Sequence, residues 1–254
     1  MYPIERQQKI MDILNKEKHV NVDTLSKQLY VGSATIRRDL DMLKKKNLLK
    51  RTHGGAIPLA GTNVEIPLSV REHEQVKAKD IIAQIATSLI KSDTLTLDSS
   101  SSVIRMIPHM VGVNILSCIT NGARTSILLG DVQRKNVHCT GGLLRENSLS
   151  FVGLEAQSFV EKYYVDKLFF SCRGISMQKG MTDPFIEEAE LRKVMIANSN
   201  ESYLLCDHTK FDKIYFCNIG NIDMITAVIT DQKPDDEWLK YFENLGVKCL
   251  YPDD

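Results

Sequence analysis

The sequence of 254 residues predicts an α/β protein in two parts. Three observations carry this expectation. The first 57 residues hold three short helical periods and a turn-closed extended pair. From residue 76 onward, helical and strand-like segments alternate. Charge divides along the same line: residues 1–60 contain 12 Lys and Arg against six Asp and Glu, a net of +6. Of the 32 bases and 32 acids in the whole chain, 20 and 26 are left for the remainder, a net of −6. A basic segment on an acidic body is the electrostatic footprint of a module that meets a polyanion, joined to one that does not. The length suits two cores, because a unit of about 60 residues leaves enough chain for a second self-sufficient one.

The spacing of Ile10, Ile13 and Leu14 predicts a first helix over residues 3–18, with Glu5 and Lys18 placed as the helix dipole favours. Asp23 is placed to cap a second, short helix carrying Leu25 and Leu29, and residues 30–32 turn into a third. There Ile36, Leu40 and Leu43 fall at i, i+4 and i+7, one apolar stripe that packs on the earlier helices. Ser33, Thr35, Arg37 and Arg38 lie off that stripe in the first turns, the part of a recognition helix that meets base edges in the major groove. Residues 48–52 are extended in character, and His53-Gly54-Gly55 supplies a turn free to adopt positive φ. Lys50, Arg51 and His53 then form a basic wing aimed at phosphate or the minor groove. The order is that of a winged helix-turn-helix. Arg37 and Arg38 also fit an ordinary solvated helix, and Lys44-Lys45-Lys46 fits a solvated helix end as well as it fits DNA.

Residues 58–75, with Pro58, Gly61 and Pro67, show no sustained period and read as a linker between a DNA-binding domain over 1–57 and a second domain over 76–254. Ile81, Ile82, Ile85, Ala86 and Leu89 restart a helical face. Strand-like runs follow at 94–98, 113–120, 136–140, 167–172, 202–206, 214–219, 225–230 and 247–251, with helical stretches at 103–110 and 123–129. Such alternation predicts a parallel, Rossmann-like sheet covered by helices, with ligands bound beyond the carboxyl ends of its strands.

Those ends carry the candidate chemistry. Asp98-Ser99-Ser100-Ser101-Ser102 leads from a strand into a helix, where small residues, hydroxyls and helix potential make a phosphate cradle, unless the serines merely cap the helix. Thr120-Asn121-Gly122 ends the next strand, and Thr140-Gly141-Gly142 the one after, with Arg145 nearby as a partner for a phosphate or a sugar hydroxyl. Arg173 and Gly174 close a further strand; Thr182 and Asp183 lie in the loop before a helix whose Glu187, Glu188, Glu190, Arg192 and Lys193 read mostly as a solvated face. Lys210, after Asp207-His208-Thr209, is either an ammonium that meets a phosphate or an exposed loop lysine.

No run approaches the roughly 18 apolar residues of a membrane span, and the amino terminus lacks a signal-peptide core, so a cytoplasmic protein is expected. The six cysteines stand in or beside apolar strands without a C-x-x-C pair, which favours reduced core thiols over disulfide or zinc; no cofactor or metal site is expected. For an enzyme that moves a proton beside a carbonyl, Asp98, Asp183, Glu187 and Glu188 are the available carboxylates, none with an evident His partner.

Thr35-Ile36-Arg37-Arg38-Asp39-Leu40, then Arg51 and His53-Gly54-Gly55-Ala56, resemble the helix-turn-helix and wing of the DeoR family of bacterial transcriptional regulators. The likeness extends through Asp98 to Ser102, Thr120-Asn121, Gly141-Gly142 with Arg145, Gly153, Gly174, Gly180 with Thr182, Glu188, and Asp207 with Lys210-Phe211. It implies a sensor domain similar in fold to ribose-phosphate isomerases and glucosamine-phosphate deaminases, with a phosphorylated sugar as effector. It also implies a regulator, a repressor of carbohydrate metabolism rather than an enzyme, that meets operator DNA as a homodimer or homotetramer. A sugar-phosphate isomerase or deaminase carrying a DNA-binding module is the rival reading. The chain departs from the family at Gly32, where a capping hydroxyl is usual, and at Ser100, where the loop commonly has glycine.

Overall fold

The computed structural model describes residues 2–45, 48–58, 65–133 and 136–252. Lys46 of the lysine run and Gly61 of the linker lie outside the described residues. The chain divides into two compact units, residues 1–73 and 74–254.

The first unit begins with α1 (Pro3–Glu17), whose proline at the amino end costs no hydrogen bond, and a two-residue strand β1 (Val20–Asn21). Helix α2 (Val22–Leu29) is capped by the Asn21 side chain, which accepts from the Asp23 N–H at 2.8 Å. The cap is therefore two residues earlier than the sequence suggests, and Asp23 instead contributes its charge to the first turn. Helix α3 (Ser33–Lys45) buries Ile36, Leu40 and Leu43 completely against Ile10, Leu14 and Leu25. Strands β2 (Leu49–Arg51) and β3 (Gly55–Pro58) form the wing, and β3 pairs on its other side with β1. Neither Gly54 nor Gly55 takes the positive φ expected of them. Gly55 is required by proximity: a Cβ there would lie 1.7 Å from the Val20 carbonyl oxygen. The single turn α4 (Leu68–Arg71), within the stretch read as linker, buries Leu68, and Ile66 and Val70 pack on this first core.

In the second unit, α5 (Val76–Ser88) leads to β4 (Ser92–Leu97), the short α6 (Ser101–Ile104), β5 (Asn114–Thr120), α7 (Ala123–Gln133) and β6 (Val137–Cys139). A small hairpin, β7 (Leu143–Leu144) and β8 (Phe151–Val152), precedes α8 (Leu154–Val160) and β9 (Val165–Phe170). Strands β10 (Gly174–Ser176) and β11 (Gly180–Asp183) come before α9 (Ile186–Ala197) and β12 (Ser199–Leu205). The chain closes through β13 (Cys217–Gly220), β14 (Ala227–Ile229), α10 (Asp236–Leu245) and β15 (Lys248–Leu250).

Seven of these strands make one parallel sheet in the order β15-β14-β12-β9-β4-β5-β6. Both faces are covered, so its central strands are apolar on both sides: Phe169 enters one core with Leu95 and Leu97, while Leu168 and Phe170 enter the other with Leu204 and Val228. The run at 214–219 is not part of this sheet. Its strand, β13, pairs antiparallel with β11 in a three-stranded sheet with β10, where Gly180 lets the backbones approach closely: a Cβ there would lie 2.3 Å from the Gly220 carbonyl oxygen. The expected helix at 103–110 breaks into α6 and a 3₁₀ turn at Ile107–Met110, with Pro108 at the break.

Strand order positions the site. From β4 the chain winds outward through β5 and β6, then returns to lay β9 on the other side of β4 and winds outward again. The reversal lies between β4 and β9, and a doubly wound sheet opens its ligand crevice at that point.

Candidate functional site

The first unit presents its chemistry on α3. With one face of the helix buried, Arg37 and Arg38 are exposed, as are Lys44 and Lys45. Ser33 and Thr35 are partly exposed in the first turn, and the Gly32 carbonyl accepts from Thr35 N–H at 2.9 Å. Asp39 lies on the buried side and holds the Arg6 guanidinium of α1 through Nε to Oδ2 at 2.5 Å. That hydrogen bond raises the arginine pKa above its ordinary value and ties α3 to α1. On the wing, Lys50 and His53 are exposed. Arg51 is half-buried and engaged within the protein, donating to the Gly55 carbonyl at 3.2 Å and pairing with Asp41 at 3.2 Å.

In the second unit the ends of β4, β9 and β12 converge on one buried polar network. Asp98, directly after β4, accepts from the Ser100 N–H at 2.8 Å with Oδ1, and from Ser171 N–H and Arg192 Nε, both at 3.1 Å, with Oδ2. Asp98 therefore braces the crevice across the switch point and leaves little acceptor capacity for a ligand. Arg192 of α9 also meets Asp183 at 3.0 Å and Glu188 at 3.4 Å. Burial opposes the guanidinium charge, but Asp183, Glu188 and Asp98 outweigh it and raise the arginine pKa. Burial pushes the Asp183 carboxyl up from its ordinary range despite Arg192.

Glu188 and Arg192 are thus interior groups, contrary to the solvated helix face expected for this segment. The family likeness singles out Glu188, but reading of the sequence misses Arg192, whose partners Asp98 and Asp183 come from other strand ends. The available signal was i, i+4 spacing: it places both on the same face of α9 as Leu191 and Met195, which are buried.

Ser150, bridged to Gly122, donates to Glu188 at 2.5 Å and shares a hydrogen bond with Ser148. Arg145 stacks 4.1 Å over the Phe185 ring and reaches Glu187 at 3.4 Å, while its Nε stands 4.0 Å from Glu188. At the ends of β9 and β12 Lys210 donates to Ser171 Oγ at 2.6 Å and lies 3.7 Å from Asp207, half-buried and not the exposed loop lysine of the alternative reading. Burial raises the Asp207 carboxyl, but Lys210, hydrogen bonds from Thr209 and the more distant Lys79 bring it below the ordinary carboxylate range.

The serine run splits in function. Ser100 Oγ caps α6 by accepting from Val103 N–H at 3.3 Å, as the bland reading requires. Ser99 and Ser101 are buried beside it, and Ser102 Oγ is buried with no hydrogen-bond partner. At the adjacent end of β5, Asn121 anchors its amide on the Phe151 carbonyl at 3.2 Å, while its Oδ1 and Thr125 Oγ1 are buried and unpartnered. Gly122 brings these loops together: a Cβ there would stand 2.4 Å from Thr125 Oγ1 and 3.1 Å from Ser99 Cα.

The remaining candidates serve the frame. Thr120 Oγ1 accepts from Gly122 N–H at 3.0 Å, and Gly141 and Gly142 take positive φ, at 65° and 104°. Thr182 Oγ1 donates to the Gly174 carbonyl at 3.2 Å and accepts from Tyr215 N–H at 3.0 Å; Arg173 N–H donates to the Thr182 carbonyl at 3.1 Å. All six cysteines are free thiols, and burial pushes Cys172 up to about 11 and Cys118 up to about 12, so neither ionises near neutrality. No group of three or more metal-ligating side chains occurs among the described residues, and no helix there is long and apolar enough to cross a membrane.

Comparison with known proteins meets this geometry at both ends of the chain. Residues 6–60 match the DeoR-like helix-turn-helix domain, and residues 74–232 match the DeoR C terminal sensor domain. The chain is 37% identical over 249 residues to the HTH-type transcriptional regulator YulB of Bacillus subtilis, covering 98% of this chain and 96% of that one. It is 33% identical to the HTH-type transcriptional regulator GolR of Listeria innocua, covering 97% and 98% of the two chains. It is 31% identical to the lactose phosphotransferase system repressor of Streptococcus mutans, covering 93% and 95%. Among solved structures, ribose 5-phosphate isomerase A from Neisseria gonorrhoeae aligns over 52% of each chain with 13% identity and a TM-score of 0.38. The enzyme reading gives way to this full-length likeness to regulators, and the chain belongs to the DeoR family of helix-turn-helix transcriptional regulators.

Proposed function

We propose that this regulator represses a carbohydrate-metabolism operon in the cytoplasm, binding operator DNA as a homodimer or homotetramer and responding to a phosphorylated sugar in its sensor domain. The observation that carries the effector reading is the set of buried, unpartnered polar atoms at two neighbouring strand ends, Ser102 Oγ, Asn121 Oδ1 and Thr125 Oγ1. A buried polar atom without a partner costs about 1–3 kcal/mol, a cost that a bound ligand relieves. Two hydroxyls that donate and one amide oxygen that accepts suit a polyol bearing an anionic group. Ser99 to Ser102 take the phosphate, with Lys210 and Arg145 as cations on either side. Asn121 takes a sugar hydroxyl. Asp98, Glu188, Thr182, Arg173, Gly174, Thr120, Gly141 and Gly142 hold the loops that present them. The names of two relatives, the lactose phosphotransferase system repressors of Streptococcus mutans and Staphylococcus aureus, agree with this class of effector.

On DNA, Ser33, Thr35, Arg37 and Arg38 meet the major groove while Lys50 and His53 meet phosphate. Arg51 supports the wing. Two protomers related by a two-fold axis would read two half-sites.

The test is a thermal-shift panel of phosphorylated sugars on wild type and on Lys210→Met and Asn121→Ala. One sugar phosphate should raise the melting temperature of wild type, and each variant should lose most of that shift while still binding DNA. No shift with any member of the panel overturns the effector reading. For DNA, Arg37→Ala should cost about 1–3 kcal/mol of operator affinity if it reads a guanine edge. An Arg37→Ala/Arg38→Ala double variant with full affinity overturns the assignment of α3.

A further inference from the structure

Tyr30 ends α2 and begins the turn into α3. It stands in the left-handed region at φ 54°, ψ 44°, and the residue is 95% exposed. Both facts work against a tyrosine: a branched or bulky side chain is disfavoured at positive φ, where glycine or asparagine sits freely, and a solvated ring contributes nothing to a core. The turn nevertheless holds it firmly. Its N–H and that of Val31 both donate to the Ser26 carbonyl, and Ser26 Oγ donates to the Val31 carbonyl at 2.6 Å. The turn chemistry thus fixes where the residue emerges, three residues before the first residue of the recognition helix. Beside it, Gly32 is glycine for no internal reason: its φ is not positive, and a Cβ would meet nothing within 4 Å. A backbone kept bare toward empty space, next to an exposed phenol carried on a hydrogen-bonded turn, fits the close approach of an external surface.

We propose that Tyr30 is a DNA contact, its phenol hydroxyl donating to a backbone phosphate at the edge of the major groove while the ring packs on the adjoining sugar. This rests on the assignment of α3 as the recognition helix. The hydroxyl is neutral, and that separates it from every basic contact on the same surface. Losing a Lys or Arg contact to phosphate lowers affinity and flattens the salt dependence by about one counterion; losing the tyrosine hydroxyl lowers affinity and leaves the slope intact.

The experiment uses the full-length chain and the duplex that the wild type selects from a random pool, with a scrambled duplex beside it. Tyr30→Phe, Tyr30→Asn and Arg37→Ala are titrated across a range of salt concentrations, and their melting temperatures are measured. Tyr30→Phe should bind about 5–10-fold more weakly to both duplexes with an unchanged salt slope, the loss expected of one hydrogen bond to a charged oxygen. Tyr30→Asn should lose at least as much affinity while melting above wild type, since asparagine tolerates the left-handed backbone. Affinity within twofold of wild type for both tyrosine variants, with Arg37→Ala weakened, overturns the role of Tyr30 and leaves α3 as the reading helix. Full affinity in the Arg37→Ala/Arg38→Ala double variant, measured alongside, removes the assignment on which the proposal rests.

Discussion

Arg192 is one guanidinium shared by three buried carboxylates, so the network carries more negative charge than it can neutralise. Burial, with the neighbouring Glu188 adding to it, pushes the Asp183 carboxyl up despite Arg192. A carboxyl whose folded-state pKa is raised stabilises the fold in its protonated form. That contribution is complete below the ordinary carboxyl pKa and is lost as pH rises through the raised value. Asp207 has the opposite sign: its lowered pKa stabilises above the ordinary value and is lost as pH falls through the lowered one. Asp183→Asn, permanently neutral, should therefore gain stability relative to wild type as pH climbs from about 4 toward neutrality. Denaturant unfolding at several pH values measures the difference. A difference that stays flat or falls across that window contradicts the assignment of charge within the network.

At the scale of elements, α3 shows which parts of this protein are legible in its sequence. Ile36, Leu40 and Leu43 announce a buried stripe by spacing alone, and the exposed arginines follow from it. Asp39 sits on the buried side of that helix and has no local rationale; only the arrival of Arg6 from α1, 33 residues away in sequence, explains it. The sensor unit repeats the pattern. Parallel strands with continuous apolar runs are readable, because burial on both faces leaves a compositional mark. The β10-β11-β13 sheet is not, because its strands are short and its pairing joins segments from opposite sides of α9 and β12. The strand ends are readable as the place of the candidate site, whereas Ser150, Ser171 and Arg192 join it through contacts between residues 34 to 94 apart in sequence. Since Asp39 anchors one element to another, Asp39→Ala should destabilise the first unit by about 3 kcal/mol, as when one partner of a buried ion pair is deleted. Unfolding followed on residues 1–73 within the full chain reads that loss. A cost below about 0.5 kcal/mol would place the pair with ordinary surface ion pairs.

For the whole molecule, a regulator needs its two units to exchange free energy. Each has its own core: among the described residues, the buried members of the α1–α3 cluster run from Ile10 to Ala56, and both clusters around the parallel sheet begin after residue 74. Independent cores allow each unit to hold its fold while the other changes state, so control must pass through populations of whole-protein states that ligand and DNA favour unequally. Coupling of that kind is reciprocal. If a sugar phosphate changes the affinity for operator DNA by some factor, DNA must change the affinity for the sugar phosphate by the same factor. Titrating the effector into the full chain, with and without saturating operator duplex, measures one arm; titrating DNA with and without effector measures the other. The two ratios should agree, typically within the range of about 5–150-fold for such switches. A fragment beginning at residue 74 should bind the effector as the DNA-free full chain does and show no response to DNA. Equal effector affinity with and without DNA in the full chain would mean that the sensor unit does not govern DNA binding by this route.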